Sequence, residues 1–210
     1  MPGEPRTGRG RASRERIVER AADLFAERGI AGTSVDEVLA AAKAGKGQFY
    51  HYFRNRDELA AAAVGYRCAR VVDGLTDALG DVSSLAGLEQ ALAGFIAGFE
   101  QAGLQGCPIG TLAAEVAGRN EAARMQAAAG FDAWERLLAD ALERMRQRGE
   151  LRADAQPAVL ATGLLASIEG GMVLSQARQD MASLRIAVDT GLAHVRASLS
   201  LLCTNWSTSC

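Results

Sequence analysis

The sequence predicts an all-α protein of about nine helices, a small three-helix head followed by a larger helical body. Three observations carry that expectation. Apolar residues make up 49% of the 210 residues but aromatics only 5%, and alanine dominates the apolar share, which suits close-packed helices better than strands. Apolar positions recur three, four and seven residues apart through almost every segment. Those stripes stop at Gly29, Gly80, Gly106 and Gly149, and a new one starts at Pro157, as helix punctuation requires.

Taken in order, residues 1–12 (MPGEPRTGRGRA) have no period and carry three arginines, and read as a disordered arm. Its arginines either brush phosphate or a minor groove, as some arms do, or touch nothing specific. Ser13 is expected to cap the first helix, whose apolar stripe is Ile17, Ala21, Leu24 and Phe25. Residues 33–53 (TSVDEVLAAAKAGKGQFYHYF) then read as two short helices joined by a tight turn. Thr33 or Ser34 caps the first, Asp36 and Glu37 suit its positive end, and Val35, Val38 and Leu39 form its apolar side. The turn falls around Lys43 to Gly45, where Gly45 is expected to take the backbone conformation other residues resist.

The second of these helices, about residues 46–53, sorts its side chains by chemistry. Phe49, Tyr52 and Phe53 can pack inward together, which leaves Lys46, Gly47, Gln48, Tyr50 and His51 outward. Amides and cations read base edges in a major groove; lysine, tyrosine and histidine suit phosphate oxygens, and glycine admits a close surface. That pattern is a helix-turn-helix over residues 34–53 whose second helix enters double-stranded DNA, with Thr33 and Ser34 at its entrance. A plain helical hairpin with a solvated polar face is the competing reading of spacing alone.

After Phe53, Asn55 with Glu58 three residues on forms a capping-box arrangement. The helix it starts runs to about Leu79 through Leu59, Ala63, Tyr66, Val71 and Leu75. Residues 85–101 follow, with Leu88, Leu92, Phe95, Ile96 and Phe99 on one face. Gly106 and Cys107 precede Pro108, which suits the first turn of a short helix to about Ala117. Residues 121–148 form the longest helix, with Phe131, Trp134, Leu137, Leu138, Leu142 and Met145 in register. Residues 157–178 are almost wholly small or apolar, so that helix must be covered on several sides, by its own core and by a second copy of the chain. Glu169 inside it needs a partner: an effector, an arginine such as Arg178, or the second subunit. The last helix, residues 184–202, offers Ile186, Leu192, Val195 and Leu199. Residues 204–210 have no pattern and read as a loose tail.

Charge is distributed rather than extreme. The chain carries a net charge of −2, with +2 on residues 1–60 and −4 on the rest, so a mildly basic front meets an acidic rear. Cys68, Cys107, Cys203 and Cys210 have no metal spacing, which predicts no metal site and no cofactor and suits a reduced, cytoplasmic chain. No apolar run is read as long enough to span a bilayer, and no signal peptide is evident, so no membrane partner is expected. An enzyme would need convergent catalytic groups. His51 and His194 lie in no motif, Gly45-Lys46-Gly47 lacks the spacing of a phosphate-binding loop, and Cys107 has no local base, so no catalytic residue is assigned.

The block GKGQFYHYF, continued by Asn55-Arg56-Asp57-Glu58-Leu59, resembles the recognition-helix signature of the TetR family of transcriptional regulators, and the likeness covers residues 11–71. The body segment Gly106-Cys107-Pro108-Ile109-Gly110-Thr111 and the later Glu169-Gly170-Gly171-Met172 resemble a subgroup of that family that includes multidrug-responsive repressors. The resemblance implies a DNA-binding domain over 13–55, an effector-binding and dimerisation domain over 56–203, and a homodimer formed through roughly 157–178 and 184–202. It implies that Arg56 touches DNA backbone, and that a small apolar or amphipathic effector lies in a cavity to which Phe95, Phe99, Cys107, Thr111, Trp134, Glu169 and Met172 contribute. The implied function is repression of palindromic operators, relieved by that effector; the alternative is a helical protein-interaction module that binds no DNA. Two departures from the family pattern stand out: Lys43 where a turn glycine is common, and Gly45 where a capping serine or threonine is common.

Overall fold

A computed structural model of the chain describes residues 7–200. Among them nine helices follow one another with no named strand: α1 (Gly8–Arg28), α2 (Val35–Ala42), α3 (Lys46–Tyr52), α4 (Arg56–Leu79), α5 (Leu85–Gln101), α6 (Pro108–Val116), α7 (Glu121–Gln147), α8 (Pro157–Arg178) and α9 (Ala182–Arg196). The chain divides into two compact units: residues 1–71 with 108–130, and residues 72–107 with 131–210. The helices α1 to α3 thus share their unit with α6 and the start of α7, a grouping that sequence order does not suggest.

In the first unit the expected stripe of α1 is buried: Ile17, Ala21 and Phe25 join Val38, Leu39 and Ala42 of α2, Phe49 of α3, Phe53, and Leu59, Ala60 and Ala63 of α4 in one apolar cluster. Each large side chain buried this way contributes about 1.5–3 kcal/mol. α1 starts earlier than Ser13, however. Thr7 is its cap, accepting from Gly10 N–H at 3.1 Å, so residues 8–12 are helical where the sequence suggested an arm. Ser13 is inside the helix and buried. Where α4 and α7 pass, a Cβ on Gly130 would lie 2.8 Å from Cys68 Sγ, so only glycine admits this approach. Burial pushes the Cys68 thiol up.

In the second unit α8 and α9 pair closely. A Cβ on Gly171 would fall 2.9 Å from Leu184 Cα, and one on Gly191 2.7 Å from Leu164 Cδ1, so each helix uses a glycine to admit the other. Buried Ser175 accepts from Leu184 N–H at 2.9 Å, and Arg178 Nη1 donates to Ser183 Oγ at 2.8 Å. α9 ends at Arg196, short of the expected 202, because residues 198–200 turn to meet the 150–152 segment: Arg152 N–H donates to Ser198 O at 2.9 Å and Ser200 N–H to Glu150 O at 2.8 Å. Arg144 closes the end of α4, donating to the carbonyls of Leu79 at 2.9 Å and Val82 at 2.8 Å. Among the described residues α8 is the one helix long and apolar enough to cross a bilayer by length and composition, with 22 residues and a mean hydropathy of 1.6, which corrects the reading that no apolar run is long enough. In the structure it packs on α9 and carries Glu169, a costly group in lipid. The tail at 204–210, Cys203 and residues 1–6 lie outside the described residues.

Candidate nucleic-acid interface

The α2–α3 pair is built by local rules. Ser34 caps α2 in a reciprocal box: its hydroxyl accepts from Glu37 N–H at 3.2 Å, and Glu37 Oε2 accepts from Ser34 N–H at 2.8 Å. The bond from Ser34 N–H, and next the one the Ser34 hydroxyl donates to Glu37 Oε2 at 2.7 Å, hold the Glu37 carboxyl below its ordinary range. Thr33 does not share the capping role. It is 2% exposed, and its hydroxyl donates to Gly29 O at 2.9 Å, which braces the loop between α1 and α2.

The turn differs from the expectation at one residue. Lys43, not Gly45, takes the left-handed conformation, at φ 50° and ψ 47°, and closes α2 through its N–H on the carbonyls of Leu39 and Ala40. Gly45 has φ −90°, which any residue adopts, and serves as the cap of α3. With no side chain it supplies half a capping box only: Gln48 Oε1 accepts from Gly45 N–H at 3.0 Å, and Gln48 N–H returns to the Gly45 backbone carbonyl at 3.0 Å instead of to a side chain.

Of the residues on the outer side of α3, four face solvent, and of these Tyr50 sets its ring edge-on to Phe49 at 5.1 Å and His51 to Tyr52 at 5.0 Å. Tyr50 is 67% exposed, and His51 and Gly47 are exposed, with open space where a Cβ on Gly47 would stand. Lys46 is exposed and pairs with Asp36 at 3.1 Å, a contact that solvent makes cheap to exchange. Phe49 and Phe53 are buried on the opposite side with ring centroids 5.7 Å apart. Gln48 is different: besides Gly45 it donates from Nε2 to Ser13 Oγ at 3.2 Å, so its amide ties α3 to α1.

Arg56, at the start of α4, turns its guanidinium onto the α1–α2 loop. Nη2 donates to the carbonyls of Ile30, of Thr33 at 2.9 Å and of Ala31 at 3.4 Å. The same loop is held from α6, where Glu115 Oε1 accepts from Ala31 N–H at 2.8 Å. Sequence reasoning missed Glu115, because its partner lies 84 residues away and is a backbone group with no side-chain signal. Asn55 caps α4 as expected, accepting from Glu58 N–H at 2.9 Å. Glu58 does not return to Asn55; it accepts from Arg54 N–H at 2.7 Å and pairs with the Arg54 side chain.

The residues expected around an effector divide between the two units. Phe95, Phe99, Cys107, Trp134, Glu169 and Met172 belong to the second, whereas Thr111 is exposed on α6 in the first. Phe95 and Trp134 stack with centroids 5.5 Å apart. Trp134 is 2% exposed, yet its Nε1 has no hydrogen-bond partner among the described residues, and neither has buried Glu169 Oε1. Burial pushes the Glu169 carboxyl up, and a hydrogen bond with Cys107 opposes that shift. Arg178 does not serve Glu169, since its guanidinium goes to Ser183. No group of metal-binding side chains occurs among the described residues.

A short helix that buries its aromatic side and presents lysine, glycine, tyrosine and histidine, set by a tight turn against a capped partner, defines a helix-turn-helix DNA-binding protein. Comparison with known proteins gives the family. Residues 17–63 match the bacterial regulatory proteins of the tetR family, and residues 84–190 match the LmrA/YxaF-like transcriptional regulator C-terminal domain. An HTH-type transcriptional regulator of Mycobacterium tuberculosis is 33% identical over 187 residues, covering 81% of this chain and 88% of that one. The HTH-type transcriptional repressor DhaR of a Mycobacterium species is 26% identical over 160 residues, covering 76% and 80%. The crystal structure of a TetR regulatory protein from Rhodobacter sphaeroides superposes with a TM-score of 0.71 at 26% identity, covering 86% of this chain and 97% of that one. The chain belongs to the TetR family and is a DNA-binding transcriptional regulator.

Proposed function

We propose that the chain acts in the cytoplasm as a homodimeric repressor of palindromic operators, released by a small apolar or amphipathic effector, and has no enzymatic activity. The observation that carries the DNA contact is the division of α3, aromatics inward and Lys46, Gly47, Tyr50 and His51 outward. Ser34 joins them at the entrance of α2, and Thr33, Gln48 and Arg56 support the surface by holding the turn and loop. Two copies would present two such helices to major grooves roughly 34–36 Å apart. Exposed Val159, Val173 and Leu174 on α8 and Ile186 on α9 supply apolar surface for pairing two copies. The relative DhaR carries the repressor role in its name.

For the effector, the support is polar rather than spatial. Trp134 Nε1, beside the Phe95 ring, offers a donor and Glu169 Oε1 an acceptor, both buried and unmet among the described residues, with Cys107 hydrogen-bonded to the Glu169 carboxyl and Met172 three residues further on. A molecule that meets them in one arrangement of the body and not another shifts the helix separation, and by linkage DNA then weakens its binding equally. The test is selection of bound duplexes from random DNA by the full-length chain. A palindromic consensus, lost by a Lys46, Gln48, Tyr50, His51 quadruple alanine variant that still folds, is the expected result. Undiminished binding by that variant refutes the assignment.

A further inference from the structure

The early start of α1 builds a second basic surface beside α3. Because the helix begins at Gly8, Arg9 and Arg16 stand seven residues apart on one side of it, with Ser13 between them. With Thr7, Gln48 and Tyr52 they line an open groove of about 530 Å³, whose floor is the Ser13–Gln48 hydrogen bond. Arg16 is held in place by donating from Nε to Ala42 O at 3.0 Å, the carbonyl end of α2. Its terminal nitrogens have no partner among the described residues, and Arg9 makes no side-chain bond there at all.

The charges are unusual for this surface. Among the described residues Arg20, Arg28, Lys46 and Arg54 each pair with a carboxylate, but Arg9, Arg11, Arg14 and Arg16 do not, although Glu15 and Glu19 share their helix. Arg14 instead lies over the Phe53 ring at 5.3 Å. A groove with two uncompensated guanidiniums suits an extended polyanion. Two helical turns separate Arg9 from Arg16 by about 10 Å, and three phosphate steps of one strand advance about the same distance along the duplex axis, at about 3.4 Å each. The groove is also continuous with the helix that enters the duplex, through Gln48 and Tyr52.

We propose that this groove seats the sugar-phosphate backbone flanking the major groove read by α3, with Arg9 and Arg16 on phosphate oxygens. The inference rests on the DNA-binding reading above and extends the interface onto α1. It adds affinity without sequence preference, since phosphates carry no base information.

The experiment uses the full-length chain and a duplex it selects, with binding measured from about 50 to about 200 mM salt. Each lost phosphate contact lowers the slope of log affinity against log salt by about 0.9. Arg9→Ala is expected to flatten the slope by about that amount, and Arg9→Ala with Arg16→Ala by about 1.8. The preferred sequence should stay the same in both, and Arg20→Ala, already paired with Asp23, should keep the wild-type slope. If Arg16→Ala loosens the fold by freeing Ala42, Arg9→Ala alone decides. A wild-type slope in Arg9→Ala, or a change in preferred sequence without a change in slope, overturns the proposal while leaving the operator reading intact. Wild-type chain that binds no duplex overturns both.

Discussion

The two units treat their polar groups differently. In the unit that carries α1, α2 and α3, the side chains around the turn are anchored: Gln48 on Gly45 and Ser13, Glu115 on Ala31, Arg56 on three loop carbonyls, Ser34 and Glu37 on each other. In the other unit two buried atoms, Trp134 Nε1 and Glu169 Oε1, are left without partners among the described residues. A buried polar group left unmet costs about 1–3 kcal/mol. One unit is therefore organised in advance as a surface that another molecule can read. The other holds two buried polar atoms that no described residue meets.

The largest effect should come from breaking the anchored side at its apolar base. Phe49 is buried between α1, α2 and α4 residues and is the inward anchor of α3. Phe49→Ala should destabilise the chain by about 3–5 kcal/mol. Denaturant unfolding checks this, and operator binding should fall with it, because the outward residues lose their platform. A cost below about 1 kcal/mol would show that the polar ties alone hold α3.

The next effect tests the unmet side. Glu169→Met removes a desolvated carboxyl and keeps its approximate volume, so it should stabilise the effector-free chain by about 1–3 kcal/mol near neutral pH. The sign with pH follows from burial. The folded Glu169 takes up its proton more readily than the ordinary value of 4.5, so the folded state binds more protons than the unfolded. Wild-type stability is thus retained at and below that value and is lost as pH rises toward the raised folded one. The gain from Glu169→Met should shrink at about pH 4.5 and be largest at about pH 7.5, read as the difference in melting temperature. A gain equal at both values would mean that the carboxyl is not the source.

The anchored side has one strained residue, and relieving it should sharpen the contrast. Lys43 holds a left-handed conformation that costs a non-glycine residue about 1 kcal/mol. Lys43→Gly should raise stability by up to that amount, less the greater freedom glycine has when unfolded. Operator affinity checks whether the lysine earns its place there: a variant more stable but weaker on DNA assigns Lys43 a phosphate contact.

Much of the fold is legible in the sequence because its rules are local. α5 over Leu85–Gln101, α8 from Pro157 to Arg178 and the stop of α4 at Leu79 follow from apolar spacing and from Pro or Gly at the ends. The burial of Phe49 and Phe53 against exposed Tyr50 and His51 is likewise readable from helical period. What escapes is non-local. Gln48 is an exposed amide in the sequence, but Ser13, 35 residues earlier, takes its Nε2. Arg56 reads in the sequence as a phosphate contact, and what its pattern does not reveal is that its Nη2 holds carbonyls of a loop more than 20 residues back. Residues 8–12 lack an apolar period because that stretch of α1 is solvent-facing, and the Thr7 cap alone marks its beginning. The placement of the left-handed residue at Lys43 also defeats composition, which favours Gly45 two residues on.

The smallest expected effect concerns that same turn. Gly45 caps α3 with an ordinary backbone angle and open space around the position of a Cβ, so no strain bars a side chain there. Gln48 already returns to Gly45 N–H. Gly45→Ser adds a hydroxyl that can share the Gln48 N–H now held by the Gly45 carbonyl at 3.0 Å, and should stabilise the chain by a few tenths of a kcal/mol, roughly the difference between glycine and serine caps. Hydrogen exchange at the α3 amides is the sensitive readout, because the gain is local. Slower exchange confined to the first turn of α3, with unchanged exchange around Glu169, would confirm that a side-chain cap tightens α3 and leaves the body as it was. Faster exchange in α3 would mean that the bare glycine is required for the close turn itself.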